Sequence, residues 1–218
     1  MQDLRRDAPY EAGATALLFV DMQTIWAEPG LDPHHPDWPA DHYFYEQLRS
    51  VTIPNQVRLL EAARSAGIEV LHTIIECLTL DGRDRSPDYV LSGIFVPKGL
   101  PEGRVIDELA PLPNEIILPK TSSGVFNSTS IEYVLRNLGI RQLIVAGTVT
   151  DQCVDMAVRD AADRGFLVTC VSDACATYTQ ERHEGALRAF GGYCWISDTA
   201  TVEARLRALG PSSGKGAR

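Results

Sequence analysis

The sequence predicts an α/β protein with three layers, α/β/α, built around a central, mainly parallel six-stranded sheet. Three observations predict it. Short apolar runs alternate with stretches of helical periodicity along the chain, the β-α-β-α rhythm of a parallel sheet with helices on both faces. The runs, such as ATALLFV, are apolar throughout, as strands buried on both sides are. The 218 residues are 44% hydrophobic, enough for one sizeable core, and no repeat or linker divides them.

Each element has its own warrant. Residues 14–20 are a buried strand ending at Asp21. Residues 54–67 read as a helix, because Pro54 suits a first turn and Gly67 suits a C-terminal cap. Residues 68–75 (IEVLHTII) are the second strand, and 115–118 (EIIL) the third, followed by Pro119 and Lys120. Residues 129–139 are a helix that Thr129 and Glu132 open as a capping box and Gly139 closes. The fourth strand is 142–147, the next helix 151–165 and the fifth strand 166–174. A helix over 180–192, a short strand over 193–197 and a helix over 199–210 complete a single domain of residues 1–210. The tail, 211–218, has turn and linker composition and is expected to be disordered. Residues 22–50 and 76–114 are the irregular stretches, and long loops in a compact domain border sites. The first is aromatic (Trp26, His34, His35, Trp38, Tyr43, Phe44, Tyr45) and reads as a lid or a subunit contact.

Composition narrows the function. A net charge of −9, from 20 Lys+Arg against 29 Asp+Glu, excludes a nucleic-acid footprint, which needs a basic face. No apolar run approaches the roughly 18 residues needed to cross a bilayer. The N-terminal residues MQDLRRDAPYEAGA carry acids and lack an apolar signal core. Five cysteines, an odd number with no C-x-x-C pair, suit reduced thiols, so a cytoplasmic protein is expected.

Ligands of open parallel sheets bind outside the carboxyl ends of the strands. Asp21, Lys120 and Cys153 each follow an apolar run, so an acid, a cation and a thiol converge on one edge. Cys77, Cys170, Cys175 and Cys194 fit the role of small buried hydrophobes. Cys153 differs, because it falls in the first turn of a helix, where peptide dipoles and free N–H groups stabilise a thiolate.

Three segments, LFVDMQTIW (18–26), LPKTSSGVFNST (118–129) and VAGTVTDQCVDMAVRDAADRGF (145–166), resemble the isochorismatase-like cysteine hydrolases. That superfamily includes nicotinamidases and N-carbamoylsarcosine, ureidoacrylate and biuret amidohydrolases. The resemblance spans roughly residues 14–205 and implies a Rossmann-type sheet. It implies a triad of Asp21, Lys120 and Cys153, and a cis peptide bond at Thr148–Val149. Asp21 would take the thiol proton, the thiolate would attack a carbonyl, and the backbone N–H groups of Val149 and Cys153 would hold the oxyanion. The family's aromatic position falls on Trp26. Homodimers or homotetramers are implied.

For the substrate, a small-molecule amide, the residues leave choices. Glu76, just past the second strand, is a candidate acceptor for a urea-like NH₂. Trp26 and Phe126 are candidate apolar walls, with Phe126 equally readable as core. Gln23 and Asn127 are candidate polar contacts. Gln180, Glu181 and His183 read as helix-opening residues. Some nicotinamidases hold a metal through an Asp-x-His…His cluster after the second strand. Here only His72, Glu76 and Asp81 stand there, with His34 and His35 in the earlier loop. No metal and no other cofactor is expected. The reading is a cysteine amidohydrolase of a linear amide or carbamoyl compound, with a cyclic-carboxamide hydrolase or an idle binding protein as alternatives.

Overall fold

The computed structural model describes residues 5–211. Apart from Pro211, the expected tail lies outside the described residues. Six strands form one sheet: β1 Thr15–Val20, β2 Glu69–Ile75, β3 Ile116–Lys120, β4 Gln142–Thr148, β5 Leu167–Ala176 and β6 Trp195–Ser197. Every pair is parallel, and the order is β3-β2-β1-β4-β5-β6. The chain direction across the sheet therefore reverses between β1 and β4. In such sheets the crevice at this switch point is where ligands enter.

The described α-helices are α1 Thr24–Ala27, α2 Tyr43–Gln47, α3 Ile53–Ala66, α4 Pro87–Leu91, α5 Val125–Ser128, α6 Ile131–Asn137, α7 Asp155–Asp163, α8 Gln180–Phe190 and α9 Thr199–Arg207. Alternation along the strands sorts them into two layers. Leu17 and Phe19 of β1 join the core that buries Leu59, Ala62 and Ala63 of α3 and Val202 and Leu206 of α9. Ala16, Leu18 and Val20 join the core that buries Leu135 of α6, Ala157, Val158 and Ala161 of α7 and Phe190 of α8. The three layers expected from the sequence are thus present. A third, small cluster of Ile25, Ile75, Tyr89 and Val96, with Trp26, Ile94 and Leu100 against it, ties the two long loops together.

Three local expectations need correction. Residues 43–52 are not irregular: α2 runs through a π-helical turn, Leu48–Thr52, directly into α3. Pro54 does stand in the first turn of α3, but that turn continues a helical path already begun in α2. Proline lacks an N–H and its ring crowds the carbonyl four residues back, and the wider π turn just ahead of it accommodates both defects. Next, β3 continues through Pro119 to Lys120. Proline ends a central strand but is tolerated in an edge strand, which β3 is. Finally, the capping box does not form. The Thr129 hydroxyl donates to Val125 O (2.8 Å) and accepts from Ile131 N (3.1 Å), while Glu132 pairs with Arg136 and Arg164. The short helix α5, unforeseen from the sequence, has claimed that threonine.

Candidate active site

The three residues of the expected triad arrive from three strand ends. Asp21 is the first residue after β1. Its N–H donates to Thr73 O (3.1 Å) on β2, and its Oδ1 accepts from the Thr73 hydroxyl (2.9 Å). It is the one non-glycine at positive φ (53°) among the described residues. Backbone in this region costs an L-residue of order 1–3 kcal/mol and clusters where function requires it. Lys120 is the last residue of β3, paired with Ile75, and its side chain is fully buried. Cys153 lies in the π-helical turn Thr150–Val154 that follows β4 and leads into α7.

The β1–β4 approach that sets this spacing depends on Gly147. It stands opposite Val20 with φ 135°, and a Cβ there would lie 2.2 Å from Val20 O. Only glycine allows the two strands that launch Asp21 and Cys153 to run this close.

Lys120 Nζ is the hub. It lies 2.9 Å from Asp21 Oδ2 and 3.4 Å from Cys153 Sγ, and it donates to Tyr89 Oη (3.0 Å) and Ser122 O (3.1 Å). Burial alone would discharge this lysine. The carboxylate of Asp21, then the neighbouring Cys153 and Tyr89, overcome that and hold its pKa above the ordinary lysine range. Asp21 Oδ2 is in ion-pair contact with Nζ but accepts no well-directed hydrogen bond, so a lone pair is left for a proton. Burial pushes the Cys153 thiol up to about 12; Lys120 pulls it down, and the Asp21 charge adds to the rise. The sequence led us to expect a stabilised thiolate. In the folded protein, desolvation and the carboxylate act against Lys120, and the net push is towards the thiol.

Tyr89 escaped the sequence reading. Ser86-Pro87 is a helix-start signal, and the Ser86 hydroxyl does cap α4 by accepting from Tyr89 N (3.1 Å). Ser86 N also donates to Thr121 O (2.9 Å), which pins α4 beside the end of β3 and brings the phenol to Lys120.

A pocket with about 520 Å³ of empty space, open to solvent, exposes Asp21 and Cys153 at its base. Trp26, Phe44, Tyr89 and Tyr178 wall it, with Asp32, His34, Thr148 and Gln152 among the polar lining and Val149 beside them. The Thr148–Val149 peptide bond is cis. Val149 turns its carbonyl into the helix, where it accepts from Gln152 N and Val154 N.

Of the five residues expected to contact substrate, Trp26 lines the pocket and four do not. Gln23 is fully buried and spends its amide on Ile75 N, Ile75 O, Gly103 O and Trp26 Nε1, clamping the two loops to β2. Glu76 turns away to accept from Gly99 N (3.0 Å). Phe126 is core, packed near Phe166. Asn127 is exposed on α5. His183 joins its Nδ1 to the Thr150 hydroxyl (2.9 Å), and Gln180 accepts from Tyr43 (2.7 Å). His35 stacks on Trp38 at 3.5 Å. Among the described residues, no three His, Cys, Asp or Glu side chains are grouped to hold a metal ion.

Known proteins resemble this chain in sequence and in fold. The family model described as the isochorismatase domain matches residues 15–201. A ureidoacrylate amidohydrolase (RutB) from Methylorubrum extorquens is 31% identical over 225 residues, covering 90% of this chain and 84% of the relative. A cysteine hydrolase from Pseudomonas syringae pv. phaseolicola is similar in structure, with a TM-score of 0.81 at 25% identity over 93% of this chain and 96% of the other. N-carbamoylsarcosine amidase from Thermoplasma acidophilum shares the fold, with a TM-score of 0.67 at 23% identity over 85% and 96% of the two chains.

Proposed function

This chain belongs to the isochorismatase family of hydrolases, and we propose that it is a cysteine amidohydrolase cleaving the C–N bond of a small linear amide or carbamoyl compound. The observation that carries the proposal is the contact of Asp21, Lys120 and Cys153 at the base of a walled pocket. Linear ureido substrates are supported by the name of the M. extorquens relative.

In this mechanism substrate displaces water from the pocket, and Asp21 takes the Cys153 proton. The sulfur attacks the carbonyl carbon, and the oxyanion is held by the backbone N–H groups of Val149 and Cys153. Asp21 returns the proton to the departing nitrogen, which leaves as ammonia or an amine. Water, deprotonated by Asp21, then attacks the thioester, and Cys153 regains its proton as the acid departs. Lys120 stays charged throughout. No step needs a metal, and dialysis against a chelator is expected to leave the rate unchanged.

A homodimer or homotetramer is part of the same reading, supported by Leu78, Leu80, Val90 and Leu91, exposed large apolar residues of the stretch 76–114. So is a reducing, cytoplasmic setting, supported by five free cysteines. No helix among the described residues is long and apolar enough to cross a membrane.

The test is ammonia release from a panel of linear and cyclic amides, before and after thiol alkylation, together with Cys153→Ala. Turnover lost in both treatments, and a covalent acyl adduct on the wild-type protein by mass spectrometry, is the expected result. Near-normal turnover by Cys153→Ala would overturn the mechanism. Tight amide binding with no turnover would identify an idle binding protein.

A further inference from the structure

The pocket carries a negative charge that the proposed chemistry does not use. Asp21 is answered by Lys120 at 2.9 Å. Asp32, at the start of the aromatic loop, is 4% exposed and lines the same pocket. Its Oδ1 accepts the backbone N–H of His34 at 2.8 Å. Among the described residues no Lys, Arg or His side chain forms an ion pair with it, so its charge is left to meet a ligand in the pocket.

The surroundings suit one kind of partner. Trp26, Phe44, Tyr89 and Tyr178 present aromatic rings to the cavity, and His34 is the one basic side chain in its lining. No lysine or arginine lines it. Two of these rings already meet a protein cation, Tyr178 with the Arg182 guanidinium 4.9 Å from its centroid and Tyr89 with Lys120 Nζ 5.7 Å from its centroid. In an adjoining hollow that shares His34, Ser123, Gln152 and Tyr178 with this pocket, Asp151 and Asp155 are matched by Arg182 and Arg159, whereas Asp88 forms no ion pair among the described residues.

Resting on the amidohydrolase reading and deepening it, we infer that the pocket selects amides whose non-reacting end is cationic, an ammonium or amidinium seated against Asp32 among the aromatic rings. An amide with a carboxylate tail, such as the acrylate in the name of the M. extorquens relative, meets like charge at Asp32 and no lysine or arginine in the pocket lining, so this chain departs from that relative at the tail while sharing the ureido end.

Matched ureas carrying a terminal ammonium, methyl or carboxylate on chains of two to five carbons test this. Wild-type kcat/KM is expected to favour the best ammonium urea over its carboxylate counterpart by about 100-fold or more, because like-charge juxtaposition in a desolvated site is strongly unfavourable. Asp32→Asn keeps an oxygen for the His34 N–H and removes the charge. It should lower the ammonium-to-methyl ratio at least about tenfold, chiefly through KM. Binding of the same ureas to Cys153→Ala, read from the fluorescence of Trp26 in the pocket wall, separates the two readings. An ammonium preference in binding without any turnover would leave the Asp32 inference standing and remove the amidohydrolase reading. Equal or tighter binding of the carboxylate ureas, or an unchanged ratio in Asp32→Asn, would overturn the inference.

Discussion

Replacing Lys120 by methionine tests whether the three groups form one electrostatic unit. Nζ is 2.9 Å from Asp21 Oδ2 and 3.4 Å from Cys153 Sγ. At an effective permittivity of about 20, these separations correspond to attractions of about 6 and about 5 kcal/mol for full charges. The values differ by only about 1 kcal/mol, so Lys120 stabilises a negative charge almost equally on either atom. It thereby lets the proton pass from sulfur to carboxylate at little electrostatic cost. Methionine keeps an unbranched apolar stem and removes the cation. The pair's one negative charge then sits unanswered in a buried site, and its second proton is held more tightly. The loss of about 5 kcal/mol sets a ceiling near 4 pH units, at about 1.4 kcal/mol per unit. After relaxation and water entry, an alkaline shift of at least about 2 units is expected in the pH dependence of Cys153 alkylation. The assay is the rate of iodoacetamide incorporation at fixed pH between about 8 and 10, where both thiols are mostly protonated and a shift of about 2 units appears as a fall of about 100-fold, read by mass spectrometry on wild-type and Lys120→Met protein, with circular dichroism to check folding. A profile that overlays the wild type would show that Lys120 does not govern the thiol, and the mechanism built on their contact would fall.

Three further outcomes follow from named contacts. Asp21→Asn should lower turnover by several orders of magnitude, since each general acid–base role contributes about 10²–10⁴-fold, and a loss under tenfold would reassign the base. Gly147→Ala puts a methyl 2.2 Å from Val20 O at φ 135° and should cost about 3–5 kcal/mol in denaturant unfolding; an unchanged midpoint would refute the strand-approach argument. His72 is buried with neither ring nitrogen hydrogen-bonded, and desolvation holds its pKa down at about 4 despite Glu115 nearby. A lowered histidine pKa means stability that is present above the unfolded value of about 6.5 and is lost as pH falls towards the folded value, about 3 kcal/mol in all. His72→Leu should flatten that part of the stability–pH curve between pH 6.5 and 4, and an unaltered slope would show the ring is not the source.

The fold was legible because it rests on local signals. Each of the four inner strands (β1, β2, β4, β5) and most helices carry their own periodicity and punctuation, and Gly67 ends α3 in the left-handed conformation its position implied. The errors occur where a distant contact overrides a local signal. Pro119 reads as a strand breaker until β3 proves to be an edge. Thr129 reads as a cap until α5 takes its hydroxyl. Pro54 reads as a helix start until the π turn carries α2 into it.

The sequence by itself determined the six apolar runs, the parallel sheet and the arrival of Asp21, Lys120 and Cys153 at one edge, because a residue just past a strand has little freedom over where it emerges. It did not determine the pocket walls. Gln23, Glu76, Phe126 and Asn127 neighbour the motifs in sequence, yet their side chains are spent on loop clamps, core and surface. Tyr89, Asp32 and Tyr178 have no motif to mark them. They meet because the small cluster of Ile25, Ile75, Tyr89 and Val96, and the contact of Phe44 with Tyr178 at 5.4 Å, fold long loops over the switch point. The same enclosure sets the direction in which the Cys153 thiol is pushed. The helix turn favours a thiolate, but burial beside a carboxylate raises the thiol pKa, and only the tertiary structure supplies that burial.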